Sequence, residues 1–247
     1  MAGHSKWANI KHRKAGQDAK RGKVFTKIIR ELTIAARDGG PAVEDNPALR
    51  SVVEKAKAVQ MPKDTIERAI ARGAGGQDGA DLESVSYEGY GPGGVAIFVQ
   101  ATTDNRNRTV AEVRHAFTRS GGNLGTDGSV AYLFDKRGQF NFSPGTDENR
   151  LMEIAVEAGA EDVETAEDGS IEVLTLPEDF HSVRHALATA GIEPYSAEIA
   201  MIPQAYSELD VETGEKVLRL LDALEDLDDV QDVFTNADFP EELSDDD

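Results

Sequence analysis

The apolar positions of this chain change period along its length. From Val24 to Gly73 they recur every three or four residues, which places them on one stripe of a helix. Phe25, Ile28, Ile29, Leu32 and Ala36 form the first stripe, with Lys23, Lys27 and Arg30 off it, and Gly39-Gly40-Pro41 ends the run. Asn46-Pro47 opens a second helix, since Asn accepts from a free helix N–H and Pro suits the first turn. Leu49, Val52, Val53, Ala56 and Val59 make its apolar face. Met61-Pro62 breaks that helix and starts a third, with Ile66, Ala69 and Ile70 inward and Gly73 at its end. Three such helices bury one small core. Ala74 to Gly79 then reads as a linker.

Beyond the linker, short strands alternate with helices. Tyr87 to Gly94 reads as a turn into the apolar strand Val95 to Val99. Thr102 to Thr109 leads into a helix with Val110, Val113 and Phe117 inward, and Gly121 to Gly125 turns the chain into a strand from Val130 to Phe134. Between Gly138 and Ile202 the order is complete in itself. A strand (Gln139 to Phe142) precedes a helix with Leu151, Ile154, Ala155 and Ala158 on one face. Strands around Val163 and from Ile171 to Leu176 are joined by Asp168-Gly169, a hairpin signal. A helix with Phe180, Val183 and Leu187 inward and a strand from Ala197 to Ile202 finish a βαββαβ unit, the ferredoxin-like order. A helix carrying Val217, Leu220, Leu221, Leu224 and Leu227 and a strand from Val230 to Thr235 are left over, and the middle segment lacks a second half. The expectation is an α+β protein of three domains. A basic arm and helical domain fill 1–77, and a discontinuous middle α/β domain takes 81–134 plus 205–240. A ferredoxin-like domain at 138–203 is inserted in it, and 241–247 is a disordered acidic tail.

Charge adds what periodicity does not show. The first 37 residues carry ten Lys or Arg against two acids, Asp18 and Glu31, within a chain of formal net charge −20. Residues 38–77 are balanced, and 78–247 hold 10 basic against 38 acidic residues. Like charges gathered this way repel within each part, and the arrangement is useful when the basic end grips a polyanion. Residues 3–23, with three glycines and few apolar side chains besides Trp7 and Ile10, read as an arm that is mobile or partly helical and orders on its partner.

Other chemistry is sparse. There are no cysteines, which excludes disulfides, thiolate nucleophiles and thiolate zinc sites, and no apolar run approaches a membrane span. With no apolar stretch after the charged start, the expectation is a cytoplasmic protein without a signal peptide. The glycine-rich turn lacks the Gly-Lys-Ser/Thr of a phosphate loop and precedes a strand instead of a helix. His181 and His185 stand four apart, but Ser182, Val183 and Arg184 lie between them, so the general-base Glu of a metalloprotease is absent and no third ligand is evident. No metal or other cofactor is expected. Arg106 and Arg108 begin a helix, where they either take an anion or pair with the surrounding acids.

Several stretches carry a family likeness. They are Met1 to Lys14, Lys20 to Lys27, Met61 to Asp64 with Ile66-Glu67-Arg68, Tyr87 to Gly94, Thr103 to Arg108, and Gly121 to Leu124. In these the chain resembles the YebC family up to about Phe134, with weaker likeness thereafter. The resemblance implies a helical N-terminal domain and two α/β lobes, the third inserted in the second. It also implies a probable DNA-binding transcriptional regulator. Other members of the family act on translation, including a mitochondrial translational activator of cytochrome oxidase and bacterial relatives linked to ribosomes stalled on proline-rich stretches.

The expected function is thus a non-enzymatic nucleic-acid-binding regulator, with DNA as first partner and ribosomal RNA as the alternative. A third option is an acidic protein-interaction module. The expected contacts are Lys6, Trp7, Lys11, Arg13, Lys14, Lys20, Arg21, Lys23, Lys27 and Arg30, with Arg106 and Arg108 next in line. No membrane partner is expected, and the oligomeric state is left open.

Overall fold

The computed structural model describes residues 21–75 and 82–244. Helices α1 (Arg21–Gly39), α2 (Pro47–Ala58) and α3 (Lys63–Gly73) pack their apolar stripes into one core around Ile28, Leu32, Leu49, Ala56 and Ile66. Asn46 is buried at the corner of this lobe. Its side-chain oxygen accepts from the Leu49 N–H at 3.0 Å, and its amide donates to the carbonyls of Ala35 and Gly40, each at 2.8 Å. One side chain therefore caps α2 and holds the end of α1, a cap being worth about 1 kcal/mol. Helix α3 crosses α1 so closely that a Cβ on Gly73 would stand 2.1 Å from the Thr33 carbonyl oxygen, so only glycine fits there.

The chain continues through β1 (Glu83–Tyr90), β2 (Ala96–Thr103), α4 (Arg106–Arg119) and β3 (Asn123–Leu124). Next come β4 (Phe134–Phe142), α5 (Glu148–Glu157), β5 (Ala160–Thr165), β6 (Ile171–Thr175), α6 (Phe180–Thr189) and β7 (Ser196–Pro203). It returns through β8 (Ser207–Glu208), α7 (Val211–Glu225), β9 (Val230–Thr235), β10 (Ala237–Asp238) and α8 (Glu241–Ser244). One antiparallel sheet has the order β3-β1-β2-β9, so the late strand β9 closes on the early strand β2. A second sheet, β5-β6-β4-β7, has the ferredoxin-like order, all antiparallel, and buries Phe140, Phe142, Val173, Phe180 and Leu187 beneath α5 and α6.

Strand β2 explains its own unbroken apolar run. Ile97, Val99 and Ala101 point into the core formed with α4 and α7, which supply Val113, Phe117, Leu220 and Leu224. Ala96 and Phe98 point the other way, against Val130, Phe134, Ala200, Ile202 and Phe234. A strand buried on both faces shows no alternation.

Three local expectations are corrected. The stretch from Tyr87 is not all turn: Glu83 to Tyr90 pairs with β2 from Glu83↔Thr103 to Tyr90↔Ala96, and the turn is confined to Gly91–Gly94, with φ of +74° at Gly93 and +76° at Gly94. The strand reads as polar because half its positions face solvent. Its Gly89 admits the Phe117 ring, which a Cβ would approach to 2.7 Å. Residues 131–133 form a single 3-10 turn, and the strand expected at Val130 begins instead at Phe134 and runs unbroken to Phe142. Val130 is apolar because it packs between the two sheets. Finally, Glu241–Ser244 of the acidic tail is a short helix, whose Leu243 packs against Gly214 and the middle core.

Candidate nucleic-acid interface

Of the expected contacts, Lys6, Trp7, Lys11, Arg13, Lys14 and Lys20 lie outside the described residues. Arg21 begins α1. The next three cations contact the middle lobe. Lys23 donates to the Asp226 carboxylate and to its carbonyl, both at 2.9 Å. Lys27 donates to the Glu225 carbonyl at 2.8 Å. Arg30 donates to the Asp228 carbonyl and pairs with Asp229 at 2.7 Å. These three residues line up on the carboxyl end of α7, where unsatisfied carbonyls and the helix dipole favour cations. They fasten the helical lobe to the middle lobe.

Arg106 and Arg108 both pair with acids. Arg106 pairs with Glu83 at 2.8 Å, and Arg108 reaches Asp104 at 2.8 Å and Asp229 at 2.7 Å. Asp229 is the centre of this arrangement, with a side chain only 2% exposed. The Thr109 hydroxyl stands 2.7 Å from it and the Thr103 hydroxyl 3.2 Å. Burial pushes its carboxyl up, but the hydrogen bonds from Thr109 and Arg108 and the charge of Arg30 outweigh that and hold it below the usual range. The same bonds raise the Arg108 guanidinium. The Thr-Asp-Asn-Arg-Asn-Arg stretch is thus a structural lock, with Asn105 capping α4 through the Arg108 N–H at 3.1 Å.

Sequence reasoning missed Asp229, which is one acid in a long acidic run with no pattern to single it out. It missed Glu88 also. That buried carboxylate accepts the N–H groups of Gly128, Val130 and Ala131, each at 2.7 Å, and clamps the connection before β4 onto β1. Burial raises its carboxyl, and the three N–H donors together bring it below the usual range. His181 serves a contact between lobes: its Nε2 lies 3.3 Å from the Ser51 hydroxyl on α2, beside an Arg184–Glu54 pair at 2.6 Å. His185 is exposed, and among the described residues no group of three His, Asp or Glu stands close enough to hold a metal ion.

The surface does carry one sizeable concavity that the sequence did not point to. An open groove of about 1060 Å³ runs between α4 and α7. Pro92, Ala116, Ala223 and Leu227 give it an apolar floor, and His115, Arg119, Lys216 and Arg219 edge it together with Glu112, Asp222 and Asp226.

These features define a three-lobed α+β protein in which a helical N-terminal lobe is fastened to two acidic lobes. The chain belongs to the TACO1/YebC family: residues 5–76 match its description "TACO1/YebC protein N-terminal domain" and residues 82–237 match "TACO1/YebC second and third domain". A relative from Hahella chejuensis, named a probable transcriptional regulatory protein, is 63% identical over 243 residues, 98% of each chain. The transcriptional regulatory protein PmpR of Pseudomonas aeruginosa is 62% identical over the same share. The crystal structure of a conserved hypothetical protein from Aquifex aeolicus superposes with a TM-score of 0.81 at 49% identity, over 90% of this chain and 92% of that one. No helix among the described residues is long and apolar enough to cross a membrane.

Proposed function

We propose that this protein is a non-enzymatic regulatory protein that binds nucleic acid, acting on DNA as a transcriptional regulator. One observation carries the reading: the positive charge of the first 37 residues stands apart from an otherwise acidic chain. Lys23, Lys27 and Arg30 anchor that segment to α7, so Lys6, Lys11, Arg13, Lys14 and Lys20 are the cations offered to a polyanion. The names of the relatives from Hahella and Pseudomonas support a regulatory role. Four to six phosphate contacts give a slope of log K against log salt of roughly −3 to −5. Replacing Lys11, Arg13 and Lys14 together with alanine should flatten that slope by about 2 to 3 and weaken binding almost equally for every sequence, because phosphate contacts position without specifying. Binding of duplex DNA by the full chain across a salt series checks this, and an unchanged slope overturns the assignment of contacts to the arm.

A second reading, a ribosome-associated translation factor, draws on the net −28 of residues 78–247. Such a bulk is repelled by an extended duplex, whereas a ribosomal pocket lined by basic proteins accepts it, and a basic arm suits RNA shape and phosphate density. Sedimentation of cell extract separates the two. Salt-sensitive co-migration with ribosomes that survives DNase favours translation, and protection of a defined promoter by protein that stays off ribosomes favours transcription.

A further inference from the structure

We propose that the groove between α4 and α7 docks an amphipathic helix of a partner protein, one that carries an acid and a base two turns apart on its docked face. The inference goes beyond the nucleic-acid reading above and does not rest on it. The two walls of the groove run antiparallel. Arg108 at the start of α4 meets Asp229, just past the end of α7, at 2.7 Å. At the opposite end the Gly91–Gly93 turn bridges the helices: a Cβ on Gly122 would stand 3.2 Å from the Gly91 Cα, and one on Gly93 2.9 Å from the Thr213 side chain. Residues of like charge are thereby gathered at the same end. Arg119 on α4 lies toward Lys216 and Arg219 on α7, while Glu112 lies toward Asp222 and Asp226.

Helical spacing puts Glu112, Ala116 and Arg119 on one face of α4, and all three line the groove. Glu112 and Arg119 are exposed, and neither has a side-chain partner among the described residues. Two turns separate them, a rise of about 10 Å. On the other wall the charges are engaged already: Lys216 pairs with Glu212 at 2.7 Å, Arg219 with Glu215 at 3.5 Å and Asp226 with Lys23 at 2.9 Å. One cation and one anion are thus left to a ligand. Ala116 and Ala223 between them are small, which lets a third helix approach to the roughly 8 to 10 Å of ordinary helix packing. The acidic end repels a polyanion. An extended peptide would press its backbone N–H and C=O groups against alanine, leucine and proline side chains that cannot pair with them, whereas a helix satisfies those groups internally. The occupant that fits is a helix with an apolar stripe, an acid opposite Arg119 and a base opposite Glu112.

The test is fluorescence anisotropy of the full chain at low salt with three stapled helical peptides of about 15 residues. All share one leucine and alanine face and differ at two positions seven residues apart, which hold Glu and Lys in the first, two Glu in the second and two Lys in the third. The parent is expected to bind the mixed peptide about fivefold more tightly than either of the others, the worth of one good exposed ion pair. Arg119→Glu should move the preference to the two-Lys peptide, and Glu112→Lys to the two-Glu peptide, by a similar factor. Both positions are exposed, so the variants keep the fold, which circular dichroism checks. A parent that binds none of the three peptides, or variants that rank them as the parent does, overturns the proposal. Displacement of the mixed peptide by single-stranded oligo(dT), lost in Arg119→Glu, would overturn it in favour of an anion site. A dimer in sedimentation equilibrium that Arg119→Glu dissociates would overturn it in favour of a second copy of this chain.

Discussion

Asp229 joins three parts of the chain at one carboxylate: Arg30 from α1, Arg108 and Thr109 from α4, and Thr103 from β2. Removing its charge leaves two guanidinium groups facing a neutral amide. Asp229→Asn is expected to cost about 3 to 5 kcal/mol, the range for breaking one side of a buried ion pair, read from the denaturant midpoint. Its carboxyl is held low in the fold, so the stabilisation is present above the ordinary carboxylate range and lost as pH falls through the lowered value. Glu172 behaves in the opposite sense. It is buried on β6 against the Gln139 amide, and burial first, then the charges of Glu164 and Asp162, push it up to about 7. The fold therefore favours its protonated form, and stability declines as pH rises from about 4.5 to about 7. Glu172→Gln, which still accepts from Gln139, should raise stability by about 3 kcal/mol at pH 8 and leave it nearly unchanged at pH 4. Equal effects at the two pH values would show that the fold does not raise the Glu172 carboxyl.

Helices α2 and α6 meet through two polar contacts, Ser51–His181 and Glu54–Arg184. Burial, and then the charge of Arg50, lower the His181 imidazole; Glu54 opposes this and Arg184 adds to it. A lowered imidazole contributes stability that is present above its ordinary value and lost as pH falls through the lowered one. The contact between the helical and ferredoxin-like lobes is accordingly expected to loosen in mild acid. Amide hydrogen exchange in α2 and α6 should rise between pH 7.5 and pH 5.5 beyond the intrinsic change, and His181→Phe should remove the difference. A difference that survives the substitution would assign the pH sensitivity to another group.

The two sheets are held together by a small apolar seam: Ala96, Phe98 and Phe234 on one side, Phe134, Ala200 and Ile202 on the other. Phe98 and Phe134 stand 6.3 Å apart between ring centres. Phe98→Ala is expected to cost about 3 to 5 kcal/mol and to uncouple the lobes, so that thermal unfolding splits into two transitions while both ladders keep their own cores. A single transition shifted to lower temperature would mean that the lobes unfold as one unit regardless of the seam. The helical lobe is attached differently, by Lys23, Lys27 and Arg30 on the end of α7 and by the Arg37 contact with the Leu82 carbonyl. Its docking is therefore more sensitive to salt than the apolar seam, because the exposed Lys23–Asp226 pair is screened.

Periodicity determined the helices, the ferredoxin-like order and the return of the last helix and strand to the middle lobe. Each depends on a face that a local run of residues must bury, and so it is written locally. Strand β1 escaped that reading because its packing partner is Phe117, which enters where Gly89 has no side chain. Val130 misled it because one apolar residue packs equally well from a turn. The roles of the charges were decided by tertiary structure alone. Lys23, Lys27 and Arg30 resemble their neighbours in the basic segment until α7, some 200 residues later, presents its carbonyl end to them. Arg108 becomes a lock only where Asp229 arrives beside it, 121 residues along the chain. An apolar side chain has one favourable destination, the nearest core, whereas a charge is satisfied by solvent, by a partner residue or by a ligand. Which of these it meets is settled by the folded chain.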